Sequence, residues 1–122
     1  MTEKMKIIDF LRENQLDAIF VQKDENCRYL SKFTGSDSYL LLTKEELYLL
    51  TDSRYTEQAR KEAADYTVVD YKGHLAEIVA KLAGEYHIKT MGVETVFSYQ
   101  MYLSFHKYMP NIEFRFSQIC LL

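Results

Sequence analysis

The amino-acid sequence predicts one α/β domain over residues 1–122, with a mixed sheet of about six strands, one antiparallel hairpin and helices on the faces of the sheet. Segments with helical spacing of apolar residues alternate along the chain with short apolar runs that are typical of strands. Two of those runs, 39–43 and 47–51, are separated only by Lys44, Glu45 and Glu46, which predicts a β-hairpin. With 48% hydrophobic and 27% charged residues, 122 residues are enough to form a single core.

The first third of the chain predicts a helix, a buried strand and a second, short helix. Apolar residues recur at helical spacing behind a possible hydroxyl cap at Thr2: Met5, Ile7, Ile8, Phe10 and Leu11. Residues 18–21 form an unbroken apolar run, which is typical of a strand covered on both faces. We expect a short helix over residues 25–30 to follow, capped by Asp24.

The remainder continues the alternation of helices and strands. After the hairpin, Ser53 can cap a helix in which Tyr55, Ala59 and Ala63 share one face. Further on, Ser98 can cap a helix that carries several aromatic residues. The other predicted elements are strands at 66–70, 90–94 and 112–116, and a strongly amphipathic helix over 75–86.

Composition excludes several classes of partner. The formal charge of −3, without a basic stripe, disfavours nucleic acid. Cys27 and Cys120 are far apart and outside any C-x-x-C pattern, so we expect reduced thiols. Charged residues interrupt the N-terminal apolar residues, unlike a signal peptide, and no apolar run approaches the roughly 20 residues of a membrane span. These features favour a cytoplasmic protein without a membrane partner.

Most catalytic and cofactor patterns are missing from the sequence. The four glycines are too scattered for a phosphate-binding turn, so a nucleotide site is not expected. Ser36 is interpreted as a turn residue and not as a nucleophile, because it lies outside a G-x-S-x-G elbow. His74 and Glu77 could share a metal on one helix, but a stable site needs more ligands, and a solvated helix start is the simpler interpretation.

Asp52 and Arg54 are the charged pair with the best position for binding. They leave a predicted strand and enter a predicted helix, where α/β domains often contact ligands. Arg54 can bind a carboxylate and Tyr55 can stack or donate a hydrogen bond. The alternative is structural, with Asp52 or Ser53 as a helix cap, Arg54 in solvent and Tyr55 in the core.

Aromatic residues are concentrated on the helix that follows Ser98. Tyr99, Tyr102, Phe105 and Tyr108 cover more than one face of it. Either some of that surface meets another domain or subunit, or a wide aromatic face packs on the sheet. The chain also ends in apolar residues, 119–122, which predicts that more polypeptide follows.

Three local strings resemble the N-terminal domain of the creatinase, prolidase and aminopeptidase P family. Residues 16–21, LDAIFV, are similar to the opening strand of that domain. Residues 26–36, NCRYLSKFTGS, resemble its N-x-x-Y-L-(T/S)-x-F-(T/S)-G-S segment. Residues 51–59 are similar to its T-D-x-R-Y-x-x-Q-A string. The three strings occur in the family's order, and the resemblance extends over nearly the whole chain, from about residue 5 to residue 122.

The resemblance implies a non-catalytic domain of an Xaa-Pro dipeptidase or aminopeptidase. In that family a separate C-terminal domain holds two divalent metal ions, expected here to be manganese, through two Asp, one His and two Glu. None of those ligands can be assigned to this chain. The partners implied are the C-terminal catalytic domain, a second subunit of a homodimer and a proline-containing peptide. The alternatives are a self-standing binding or structural module and the N-terminal domain of a creatinase-like amidinohydrolase.

The resemblance also assigns candidate residues that limit access to the substrate site. They are Phe33, Gly35, Ser36, Asp37, Asp52, Arg54 and Tyr55. Because dipeptides have charged termini, Arg54 suits a carboxylate and Asp37 an ammonium, while Phe33 and Tyr55 exclude water. No catalytic residue and no metal ligand is assigned within the chain.

Overall fold

One six-stranded mixed sheet organises residues 2–118, which are the residues that the computed structural model describes. The predictions for Cys120 and for the apolar residues 119–122 lie outside this range. The elements are helix α1 (Glu3–Glu13), strand β1 (Ala18–Val21), helix α2 (Asp24–Ser31), strands β2 (Tyr39–Thr43) and β3 (Leu47–Thr51), helix α3 (Thr56–Glu62), strand β4 (Thr67–Asp70), helix α4 (Leu75–Glu85), strand β5 (Thr90–Val93), helix α5 (Tyr99–Tyr108) and strand β6 (Glu113–Phe116).

The strand order is β4-β3-β2-β1-β5-β6, and β2 alone runs against the other strands within residues 2–118. Strands β2 and β3 form the predicted hairpin, with Leu41 opposite Tyr48. Its turn is fixed by Thr43, whose Oγ1 accepts the Glu46 N–H at 2.8 Å. The α/β class, the mixed sheet and the hairpin are therefore confirmed.

Two apolar cores lie on opposite faces of the sheet. Helices α1, α2 and α3 pack on one face around Phe33 and Leu49, while α4 and α5 pack on the other around Phe20 and Phe105. Every residue of β1 and β3 is buried, because a central strand between two helical layers has no solvent face. Full burial of each large apolar side chain contributes about 1.5–3 kcal/mol, so the central strands anchor the fold.

Helix α1 begins as predicted and buries part of the predicted apolar set. Thr2 Oγ1 accepts the Met5 N–H at 3.1 Å, which confirms the cap. Ile7 and Leu11, four residues apart, are buried, whereas Met5 is half exposed. The buried side of α1 is therefore centred on Ile7 and Leu11.

The predicted cap of α2 was wrong, and of the two candidates after the hairpin one is the cap. Asp24 is the first residue of α2, and Lys23 holds the cap position. The N–H of Lys23 donates instead to Glu94, a side chain that follows β5. After β3, Asp52 and not Ser53 is the cap, and a 3₁₀ turn precedes α3. Asp52 Oδ1 accepts the Arg54 N–H within that turn, and Glu94 accepts the N–H groups of the two residues directly before α2.

The aromatic residues of helix α5 divide between the core and solvent. Ser98 caps it through the Met101 N–H, as predicted. Phe105 is fully buried against Phe20 with ring centroids 5.0 Å apart. Tyr99, in contrast, is 75% exposed, so part of the aromatic surface faces solvent in this chain.

Candidate functional site

One edge of the sheet collects the polar residues that follow the strands. Strands β1, β3, β4, β5 and β6 point in the same direction, so their carboxyl ends lie along one edge together with the start of β2. Ligands of open α/β sheets bind outside the carboxyl ends of the strands. We call this the carboxyl edge, and it contains most of the predicted site residues.

Asp52 and Arg54 form an ion pair at the end of β3. Asp52 Oδ1 accepts the backbone N–H of Arg54 at 2.9 Å and its Nε–H at 3.1 Å. Hydrogen bonds from the Arg54 backbone and side chain lower the pKa of the Asp52 carboxyl. Arg54 keeps 67% of its side chain in solvent, and its guanidinium lies 5.2 Å from the centre of the Tyr55 ring. The pair thus presents an accessible cation, and the structural interpretation of Asp52 as a cap also holds.

The loop before β2 brings Asp37 to the same place. The pairing of Tyr39 with Leu50 puts the start of β2 beside the end of β3. Asp37 is exposed with a φ of 56°, a left-handed conformation that Asp tolerates better than most residues. The pKa of Arg54 is raised mainly by its bonds to Asp52 and also by the charge of Asp37. The two polar ends of the hairpin therefore lie side by side, as the sequence predicted.

Phe33 is separated from the exposed members of the predicted set. Its ring is 1% exposed and belongs to the core under α1, α2 and α3. A Cβ on Gly35 would overlap this ring, so the glycine allows the loop to lie directly over Phe33. Ser36 is exposed at the next position, and Tyr55 is half-buried against the same core. In this chain Phe33 supports the loop from below.

The geometry adds two tyrosines that the sequence analysis missed. Tyr39 is the first residue of β2 and Tyr71 directly follows β4, and the centroids of their rings are 5.9 Å apart. Burial raises the pKa of Tyr71, and the nearby charges of Asp52 and Asp37 raise it further. The two rings therefore lie beside the charged cluster of Asp37, Asp52 and Arg54. Tyr71 follows β4 as Asp52 follows β3, and this position was the signal that could have identified it.

Glu94 is the other residue that was missed. It follows β5 and is 3% exposed. Its Oε1 accepts the backbone N–H groups of Gln22 at 2.5 Å and Lys23 at 2.8 Å, and its Oε2 accepts the Asn26 amide at 2.5 Å. The carboxylate therefore ties the two residues directly before α2, and the Asn26 side chain in its first turn, to the end of β5. A charged residue directly after an apolar strand was the available signal.

The potential metal ligands of the described residues are dispersed. Within residues 2–118 no group of three or more His, Cys, Asp or Glu is arranged to hold a metal ion. Cys27 is buried, and its burial raises the pKa of the thiol to about 12. Across the same range, each helix is too short or too polar to cross a membrane.

Comparison with known proteins places these features in a family. The model of the creatinase/prolidase N-terminal domain matches residues 5–118. The Xaa-Pro dipeptidase of Pyrococcus horikoshii is 33% identical over 101 residues, which cover 81% of this chain and 27% of that protein.

Solved structures give the same result. The Xaa-Pro dipeptidase from Bacillus anthracis superposes with a TM-score of 0.86 at 28% identity, over 94% of this chain and 32% of that chain. The N-terminal domain of the cytoplasmic peptidase PepQ from Mycobacterium tuberculosis superposes with a TM-score of 0.84 at 28% identity, over 94% and 92% of the two chains.

These matches define both the family and the extent of the similarity. This chain spans less than a third of the length of the curated relatives that match it. Because the family model extends over almost all of the described residues, the chain belongs to the creatinase/prolidase N-terminal domain family.

Proposed function

We propose that this chain is the non-catalytic N-terminal domain of a cytoplasmic, metal-dependent Xaa-Pro dipeptidase or aminopeptidase. In this proposal a C-terminal domain carries the two divalent metal ions, expected to be manganese, and performs the hydrolysis. The described residues contain no group of ligands that fits such a metal site, so no chemical step is assigned to them. The domain limits which peptides reach the metal site and supports a homodimer.

The exposed cluster of Arg54, Asp52 and Asp37 is the observation that carries the proposal. An exposed ion pair contributes little to stability, so a peptide carboxylate can replace Asp52 on the Arg54 guanidinium at little cost. Asp37 offers a carboxylate on the same edge for a peptide ammonium. A cation and an anion on one edge match the two charged termini of a short peptide.

The remaining predicted residues shape this edge. Gly35 and Ser36 belong to the loop that carries Asp37, and the buried Phe33 ring supports that loop. Tyr55 lies beneath the Arg54 guanidinium and shields one side of it from water. These contacts restrict the conformations of the cluster before a peptide arrives, which lowers the entropy cost of binding.

The test uses the full-length protein that contains this domain, with manganese, and compares Ala-Pro with longer Xaa-Pro peptides. Arg54→Gln should raise KM for the dipeptide at least about tenfold and leave kcat within about twofold, because a charged hydrogen bond is lost in binding. Arg60→Gln is the matched control, since Arg60 is an exposed arginine on α3. Equal KM values for the two variants would contradict the proposed role of Arg54.

A second experiment separates the alternatives. The 122-residue chain with added manganese should hydrolyse neither Ala-Pro nor creatine, and activity above the blank on either would refute the non-catalytic role. Calorimetric titration of the same chain with dipeptides tests the self-standing module. Tight metal-free binding would favour that module. Activity of the full-length protein on creatine but not on Ala-Pro would favour the amidinohydrolase.

A further inference from the structure

We infer that β6 pairs with β6 of a second copy of this chain, in an antiparallel, two-fold symmetric arrangement that joins two sheets into one. This inference deepens the proposed function, because it gives the homodimer a specific surface. It can fail while the peptidase assignment holds, since the peptidase assay does not depend on which surface forms the dimer.

Within residues 2–118, no strand pairs with the outer side of β6, and the hydrogen bonds to β5 show which backbone groups point outward. Strand β6 is the last strand in the sheet order. Glu113 N–H donates to Lys89 O at 2.8 Å and Ser117 N–H to Val93 O at 2.9 Å, both toward β5. Because neighbouring residues of a strand direct their N–H and C=O groups to opposite sides, Phe114 and Phe116 direct theirs away from β5. Unpaired edges of this kind are templates for pairing with another strand.

The outward direction of the Phe114 and Phe116 backbone groups selects one symmetric register. A two-fold axis at Phe114 lets the two Phe114 residues exchange N–H and C=O hydrogen bonds, as in a hydrogen-bonded antiparallel pair. The same axis puts Glu113 of each copy opposite Arg115 of the other. Opposite charges in directly facing positions stabilise antiparallel pairs. Within one chain Glu113 and Arg115 form an ion pair on the same face of β6, and the Arg115 guanidinium also donates to Gln15 O at 3.2 Å. Pairing across the axis therefore has to share or exchange these contacts.

The other face of β6 supplies apolar cover. Phe114 stacks on Phe97 with ring centroids 5.8 Å apart, and Phe116 is 73% exposed. Phe116 and Tyr99 border an apolar groove of about 330 Å³. In the inferred register, Phe116 lies opposite Ile112 of the second copy and loses much of its exposure to water. The Ile112 N–H already donates to Met109 O at 3.2 Å within its own chain, so this pair adds only the hydrogen bond from the Phe116 N–H to the Ile112 carbonyl. Pairing thus buries one of the most exposed large apolar side chains in the described chain.

The opposite edge of the sheet does not offer this complementarity. Strand β4, the other outer strand, spans Thr67–Asp70 and carries a single charged residue, Asp70. Two-fold pairing within Thr67–Asp70 therefore cannot place opposite charges against each other. Strand β4 serves as the matched control edge.

The experiment measures self-association of the 122-residue chain by sedimentation velocity over a range of concentrations. The unsubstituted chain should dimerise. Glu113→Arg and Arg115→Glu each place like charges across the interface and should weaken dimerisation by about tenfold. The double charge reversal should restore it to within about threefold. Phe116→Lys should also weaken dimerisation, whereas Thr67→Lys on β4 should leave it unchanged.

Amide exchange keeps the test decisive if a variant folds poorly. In the unsubstituted chain, the Phe114 and Phe116 N–H groups should exchange slowly at dimeric concentrations and quickly on dilution. Thermal unfolding at low concentration, where the chain is monomeric, measures how much the Glu113–Arg115 pair stabilises a single chain, separately from its effect on dimerisation. A chain that stays monomeric up to about 1 mM, or a dimer with fast exchange at both amides, overturns the inference.

Discussion

Replacement of Glu94 by alanine should destabilise the domain more than any single change at the exposed cluster. Glu94 accepts three hydrogen bonds, from Gln22 N–H, Lys23 N–H and the Asn26 amide. Each donor left without a partner costs about 1–3 kcal/mol. A cavity of about 80 Å³ beside Glu94 can admit water and offset part of this cost. We therefore expect a loss of about 2–4 kcal/mol in the free energy of unfolding, from a typical total of about 5–15 kcal/mol.

The assay is urea denaturation at pH 7, followed by far-UV circular dichroism, with two comparison variants. Glu94→Gln keeps an acceptor for the two backbone groups, and the Asn26 amide can rotate to accept from the introduced amide, so the loss should be about 1–2 kcal/mol. Thr95→Ala changes an exposed neighbour and should stay within about 0.5 kcal/mol. A Glu94→Ala loss below about 1 kcal/mol would show that α2 does not depend on this carboxylate.

Three further outcomes follow from the same contacts. Gly35→Ala should destabilise the domain by about 1–3 kcal/mol in urea denaturation, because the new methyl group overlaps the Phe33 ring, whereas Gly84→Ala, in open space on α4, should be neutral or stabilising. Cys27 should resist iodoacetamide at pH 8 in the folded protein and react after unfolding, as measured by peptide mass spectrometry, because its thiol is buried with a raised pKa of about 12. Asp52→Asn should reduce stability at pH 7 but not near pH 2. The pKa of this carboxyl is lowered by hydrogen bonds from the backbone and side chain two residues later, so its contribution is present above the usual Asp value of about 4 and is lost as pH falls through the lower folded value.

Local signals were sufficient to predict the helices, strands and hairpin. The charged turn between β2 and β3, the cap at Thr2 and the cap at Ser98 each depend on residues within a few positions of one another. The contact that holds the start of α2 could not be predicted in this way, because Glu94, which accepts the Lys23 N–H, is 71 residues away in the sequence. A prediction from neighbouring residues alone therefore assigned the cap to Asp24, which is the first residue of the helix.

The candidate site was predictable to the same extent. Asp37, Asp52 and Arg54 are brought together by a hairpin, so their proximity follows from adjacent segments. Tyr71 joins them only through the parallel pairing of β3 with β4, which requires a crossover helix to be in place. The position of Phe33 was also ambiguous, since an aromatic residue beside a polar loop is compatible with either the surface or the core. The ring lies in the core with 1% exposure, and the loop can pass directly over it because Gly35 has no Cβ.

The carboxyl edge contains one buried carboxylate, Glu94, and one exposed carboxylate, Asp52. This difference in burial favours the end of β3, where Asp52 pairs with Arg54, as the part that binds a ligand. At the ends of β1 and β5, Glu94 is buried and its hydrogen bonds are satisfied within the chain, so an external ligand would have to displace a carboxylate that holds α2. At the end of β3, the Asp52–Arg54 pair is exposed and contributes little to folding, so its exchange for a ligand costs little. A peptide carboxylate that binds this edge should therefore compete with Asp52, and Asp52→Asn should strengthen dipeptide binding by the full-length protein while Arg54→Gln weakens it.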